Sequence, residues 1–403
     1  MFGASRFLWP AHNLALLVVI GAFFGQGAVG DYTYALAICT PFYFLVSFTF
    51  SYLFLVDTRR NKYRIELLFL RISSVLASMP LGPFALAFLP SAQGYAVIAL
   101  WILKLGEVLF EPIPIYVGTD TSREGRGRRL FICDVSRVLL AQALMWFCVL
   151  VVKGGMIALL LVMGLSNLVL SLWFLVSVPD WIGRGIRIRR VCATARRLFR
   201  YCLPMTLSAV LLALLISLPR LLSDSSLEEH ERAIFGAAQV IGSGMAMLFN
   251  AMWLYELHKV QRSIQNNDLA GAAKINATLS LLFLAALSAG SLVVFAAEPV
   301  ILSVLNIQAV HPVLFPALIF LLGFQHCVSV HRDLLKLTGQ VWIEVKVLAV
   351  TLGIAALVYE LSVTVIDSAW PTSVALFCLA SALTQVLLSY LWMRRSLKNP
   401  RVA

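Results

Sequence analysis

The chain has 403 residues, 60% of them apolar and only 13% charged, against about 45–50% and about 25% in an ordinary globular protein. So few charges cannot cover that much apolar surface in water, which excludes a soluble enzyme, a disordered chain and a small secreted scaffold. The net charge of +12 would suggest nucleic acid in a soluble protein; in a membrane protein, inner loops collect Lys and Arg, so the positions of the 32 basic residues decide between the two.

A bilayer core about 30 Å thick takes about 20 apolar residues per helix. By that measure the chain predicts twelve spans, near 7–27, 31–56, 66–89, 94–117, 130–152, 155–178, 201–222, 233–256, 275–297, 306–330, 341–361 and 369–393. The first has a short apolar run, Leu14–Phe24 behind Arg6, and resembles a signal peptide. No small-residue cleavage site stands out and another span follows at once, so it reads as a retained helix. Twelve spans place both termini on one side. Alternation then puts 26 basic residues on that side, at Arg6 and in the stretches 59–64, 123–129, 184–200, 259–274, 332–346 and 394–401. The other side receives only Lys153 and Arg232, and four bases (Arg71, Lys104, Arg137 and Arg220) fall inside spans. The charge is therefore mostly topological, and no nucleic-acid partner is expected.

The longest loop, 179–200, divides the chain into an N-terminal lobe of six helices (1–178), a basic linker, and a C-terminal lobe of six helices (201–403) with a short tail. Two six-helix halves of the same orientation are a common transporter layout. No P-loop, nucleophile elbow, dinucleotide fingerprint or metal-ligand spacing is present, and the seven cysteines include no CxxC pair. No catalytic residue, metal or cofactor is expected.

Ionisable side chains inside the membrane are costly and face a partner or a water-filled cavity. Span four carries Lys104, Glu107 and Glu111 at helical spacing. Span five carries Asp134 and Arg137, span three Arg71, and span seven ends on Arg220. Two readings stay open. The acids and bases pair with each other and hold helices together, or they line a polar cavity for a charged substrate. Prolines 41, 80, 83, 204, 312 and 316 suggest bent or broken helices. The aromatics of span two and the small residues of span eight suit helix packing.

Gly30-Asp31-Tyr32 with Pro41 and Asp57, Leu70-Arg71, the run Lys104, Glu107 and Glu111, Ser136-Arg137 and Leu218-Pro219-Arg220 together resemble the O-antigen type of polysaccharide-export flippase. That family belongs to the multidrug/oligosaccharidyl-lipid/polysaccharide (MOP) superfamily. The resemblance implies two helical lobes around a central cavity in the bacterial cytoplasmic (inner) membrane, with both termini cytoplasmic. It implies as substrate an undecaprenyl-diphosphate-linked oligosaccharide, a polyprenyl-linked glycan moved to the outer leaflet, with a polysaccharide polymerase and other assembly proteins as partners beside the lipid bilayer. Arg71, Lys104, Arg137 and Arg220 are then candidates for the phosphate or acidic sugars, and Glu107, Glu111 and Asp134 for ion coupling or pairing. The alternative is a cation-coupled antiporter of drugs or small amphiphiles from the same superfamily. A membrane polymerase or ligase fits less well, because the longest outside loop, 223–232, is short and acidic.

Overall fold

The computed structural model of the chain describes residues 2–47, 64–82, 89, 91–110, 123–177, 188–266, 268–308, 313–337, 340–366 and 369–398. All regular structure among them is helical. The helices are α1 (Phe2–Ser47), α2 (Arg64–Ser78), α3 (Ser91–Phe110), α4 (Arg123–Phe147), α5 (Met156–Ser177), α6 (Ile188–Ser223), α7 (Glu229–Gln265), α8 (Leu269–Val304), α9 (Leu314–Leu337), α10 (Val341–Thr364) and α11 (Trp370–Lys398). A π turn, Cys148–Val152, extends α4, and a 3₁₀ turn, Asp224–Ser226, joins α6 to α7.

The helix α1 runs through the first two predicted spans and bends at Gly25, whose φ of 84° and ψ of 179° are not helical. Only glycine takes that conformation without a Cβ clash. The sequence pattern places the break at 28–30, beside Asp31; instead Gly30 and Asp31 are helical, because Gly30 serves as a contact surface described below. With the bend as a boundary, the described residues form twelve helices in the order of the twelve predicted spans. Seven described stretches are long and apolar enough to cross a bilayer: Ala11–Ser47, Ile132–Val152, Met156–Trp173, Cys202–Ser226, Ala270–Val304, Val341–Thr364 and Trp370–Trp392. The chain is an all-α polytopic membrane protein. The latter part of the 179–200 loop is also helical, since α6 starts at Ile188. Its Arg and Ala residues favour helix, and Arg196 and Arg200 are exposed.

The chain packs as two compact units, Met1–Leu16 with Tyr34–Val210, and Leu17–Thr33 with Leu211–Ala403. In the first, α3 and α5 form the tightest helix pair, and two glycines explain why. A Cβ on Gly106 would lie 2.8 Å from the Asn167 Cβ and 2.9 Å from the Gly164 carbonyl oxygen; one on Gly164 would lie 2.9 Å from the Leu103 nitrogen. Small residues at a crossing let backbones meet, and van der Waals contact then replaces the hydrophobic drive that lipid cannot supply. Trp101 of α3 donates to the Ser78 carbonyl at 3.1 Å, which fastens α2. Leu139, Leu150, Val151, Leu172 and Trp173 remain exposed, as lipid-facing side chains of a membrane protein must.

The second unit has an aromatic core of Phe249, Trp253, Leu279, Phe283 and Leu287. The rings of Phe249 and Phe283 stack at 5.0 Å. The helices α10 and α11 pack along their lengths, and α9 packs on α7, α8 and α11. The bend segment of α1 lies flush in this unit. A Cβ on Gly21 would meet the Leu305 carbonyl oxygen at 2.5 Å, and one on Gly236 would run into Thr33.

Candidate functional site

The first unit buries a polar cluster drawn from four helices. On α3, Lys104 Nζ lies 2.9 Å from Glu107 Oε2, three residues on. The two side chains are only 13% and 6% exposed, and the ammonium also lies 5.6 Å from the centre of the Tyr43 ring, a cation–π distance. On α4, Arg137 Nε donates to Asn167 Oδ1 of α5 at 2.9 Å. Asn167 also lies against α3, where its Cβ faces Gly106, the residue before Glu107. From the first half of α1, His12 Nδ1 accepts from Gln142 Nε2 of α4 at 3.0 Å. Lys104 and Arg137 both lie within electrostatic reach of His12.

Two buried atoms of the cluster have no hydrogen-bond partner among the described residues: the acceptor Glu107 Oε1 and the donor Asn167 Nδ2. Buried polar groups are nearly always satisfied, and a buried site with spare bonding capacity is suited to water, a proton or polar substrate atoms. The arrangement provides a carboxylate with one oxygen held by Lys104 and one open, among basic and amide donors.

Of the residues expected from sequence, the structure brings together Lys104, Glu107 and Arg137. Asp134 stands one turn before Arg137 on α4, half-buried. Arg71 is buried in α2 with 2% exposure. Glu111 lies outside the described residues. Arg220 belongs to the second unit, where its guanidinium is fully buried: Nη2 donates to the Gly30 carbonyl at 3.4 Å and Nη1 lies 3.3 Å from Asp224 Oδ1. Sequence reasoning passed over His12, Gln142 and Asn167. The signal that marks them is that each is a strongly polar side chain within a predicted span.

By sequence, no protein-family model and no curated protein matches the chain. By structure it resembles solved transporters over almost its whole length. An inward-facing multidrug resistance MATE family transporter of the MOP superfamily matches with a TM-score of 0.59 and 14% identity over 98% of this chain and 94% of the other. An outward-facing one matches with a TM-score of 0.61 and 12% identity over 98% and 93%. The eukaryotic MATE transporter AtDTX14 matches with a TM-score of 0.61 and 12% identity over 99% and 96%.

Proposed function

We propose that the chain is a membrane transporter that moves a small amphiphilic molecule by alternating access, coupled to an ion gradient. The observation that carries the reading is Glu107, a buried carboxylate with one oxygen held by Lys104 and the other without a hydrogen-bond partner among the described residues. Such a group can exchange a proton or a small cation as the site changes access. The fold supports the same class: the solved structures it resembles include multidrug resistance transporters. The cluster of His12, Lys104, Glu107, Arg137, Gln142 and Asn167 is the polar station of the first unit. The basic loops support a topology with both termini in the cytoplasm of the inner membrane.

One observation favours a second reading, a flippase for a polyprenyl-diphosphate-linked oligosaccharide. The first unit buries or half-buries three bases, Arg71, Lys104 and Arg137, and a diphosphate calls for cations. Purified protein in vesicles separates the two. Under an imposed proton or sodium gradient, a fluorescent cationic amphiphile is expected to be moved, with transport collapsing when the gradient is dissipated. Movement of a fluorescent polyprenyl-diphosphate oligosaccharide without movement of the amphiphile would replace the first reading by the second. Movement of neither would remove both.

A further inference from the structure

Arg220 reads from sequence as a candidate for substrate phosphate, yet its surroundings are those of a fastener. The guanidinium is 0% exposed. A buried charge is tolerated only when it is paired and hydrogen-bonded, and here protein groups supply an ion pair and a hydrogen bond. Asp224 neutralises it from the 3₁₀ turn, the ring of Phe235 lies 5.7 Å from its central carbon, and the Gly30 carbonyl of α1 accepts from it. Asp224 is shared with Arg232, whose Nε is 3.8 Å away. Asp31, one residue past Gly30, lies within electrostatic reach of Arg220, Arg232, Asp224 and Glu229.

The same stretch of α1 is fitted to the start of α7 by glycines. A Cβ on Gly27 would meet Glu229 Oε1 at 2.7 Å, and one on Gly30 would meet the Arg232 Cβ at 3.4 Å. On the other side of the bend, Gly21 lies against the Leu305 backbone. At Gly25 the place of a Cβ is open: beyond its own stretch of helix, no atom of the described residues lies within 4 Å of it. No neighbour is wedged against the bend at that position, and the contacts before and after it hold its two arms. Arg220 adds a hydrogen bond to those contacts, and it reaches α1 through a main-chain carbonyl, which no α1 side-chain change can remove.

We propose that Arg220 is a positioning residue: it pins α1 beyond the Gly25 bend to the corner where α6 meets α7, so that the bend and this corner move as one piece. The pinning goes beyond the transport reading; only its effect on transport rests on that reading. Arg220 acts through α1 and touches no substrate. The test uses full-length protein and the variants Arg220→Gln, Arg220→Lys and Asp224→Asn, with amide hydrogen exchange followed by peptide. In Arg220→Gln, exchange of amides 27–33 is expected to rise at least tenfold while peptides from α10 and α11 keep their rates. Asp224→Asn should move the same amides in the same direction by less. Arg220→Lys keeps the charge and loses the planar fork, so it should fall between wild type and Arg220→Gln. In amphiphile transport, the maximal rate of Arg220→Gln should fall at least fivefold, with half-saturation within twofold of wild type.

Unchanged protection of 27–33 in both Arg220→Gln and Asp224→Asn would overturn the proposal. So would an equal rise of exchange throughout the second unit, which signals general loosening, or a tenfold rise in half-saturation at unchanged maximal rate, which signals a substrate ligand. If Arg220→Gln is not recovered folded, the Asp224→Asn exchange pattern decides alone. Wild-type protein that moves nothing would count against the transport reading, and the exchange arm would still decide the pin.

Discussion

Lys104 and Glu107 stand one helical turn apart and neutralise each other in a place where neither charge is stable alone. Breaking a buried pair by removing one partner costs more than removing both, by up to about 3–5 kcal/mol in well-buried cases. Lys104→Met is therefore expected to lower the melting temperature in detergent more than Lys104→Met with Glu107→Gln; equal melting temperatures would show that the pair is screened. Glu107→Gln alone keeps an oxygen for Lys104 and removes the ionisable group. It is expected to leave folding nearly intact, to cut gradient-driven accumulation at least tenfold, and to spare exchange of substrate across vesicles without a gradient. The Lys104–Glu107 bond was legible in the sequence because a spacing of three fixes which side chains meet on a helix. The partners of Arg137 and His12 were not. Asn167 is 30 residues from Arg137 and Gln142 is 130 from His12, and helical periodicity says nothing about which faces of distant spans meet.

Among the elements, glycine has two roles that sequence alone does not separate. Residues 21, 25, 27 and 30 are all glycine, yet only Gly25 has positive φ; Gly21, Gly27 and Gly30 are helical and clear space for a neighbour. The predicted break at 28–30 follows from span length alone, which does not register the positive φ of Gly25. Pro41 misled in the same way, since α1 bends at Gly25 while Pro41 is helical within it; Pro80 does mark a break, because α2 ends at Ser78, and Pro83 and Pro312 lie outside the described residues. At the α3–α5 crossing the effect of added volume is easy to measure. Gly164→Leu would drive a branched side chain into the Leu103 backbone, and overpacking of this kind costs about 1–3 kcal/mol. A melting temperature several degrees lower is expected, with lost transport, because the displaced α5 also carries Asn167 away from Arg137. Gly353→Ala, with nothing within 4 Å of the new carbon, is the control and should melt like wild type.

For the whole molecule, the fold class was legible because the bilayer fixes helix length and composition; the twelve predicted spans and the twelve described helices follow one order. The threading direction is tested by single cysteines in a background lacking the seven native ones. Cysteines at Ser5 and Ser396 are expected to react with a membrane-impermeant thiol reagent only after the cells are opened. One at exposed Ser225 should react in intact cells, and the reverse pattern would invert the proposed topology. Which residues form each unit was less legible. Hydropathy marks where a chain crosses lipid, while the membership of Leu17–Thr33 depends on glycine contacts with residues two to three hundred positions away.

That last separation has a consequence for how the protein is made. The Gly25 segment leaves the ribosome early, but Arg220, Glu229 and Gly236, which receive it, follow only after about 200 more residues, and Leu305 later still. At about 5–20 residues per second the segment waits roughly 10–40 s, in lipid or on the insertion machinery, before its resting place exists. Long-range contacts of this kind assemble late and slowly. A ribosome stalled before residue 211 would thus carry an α1 whose bend has no surface to settle on, and that intermediate is where quality-control proteases should find this chain most open to cleavage.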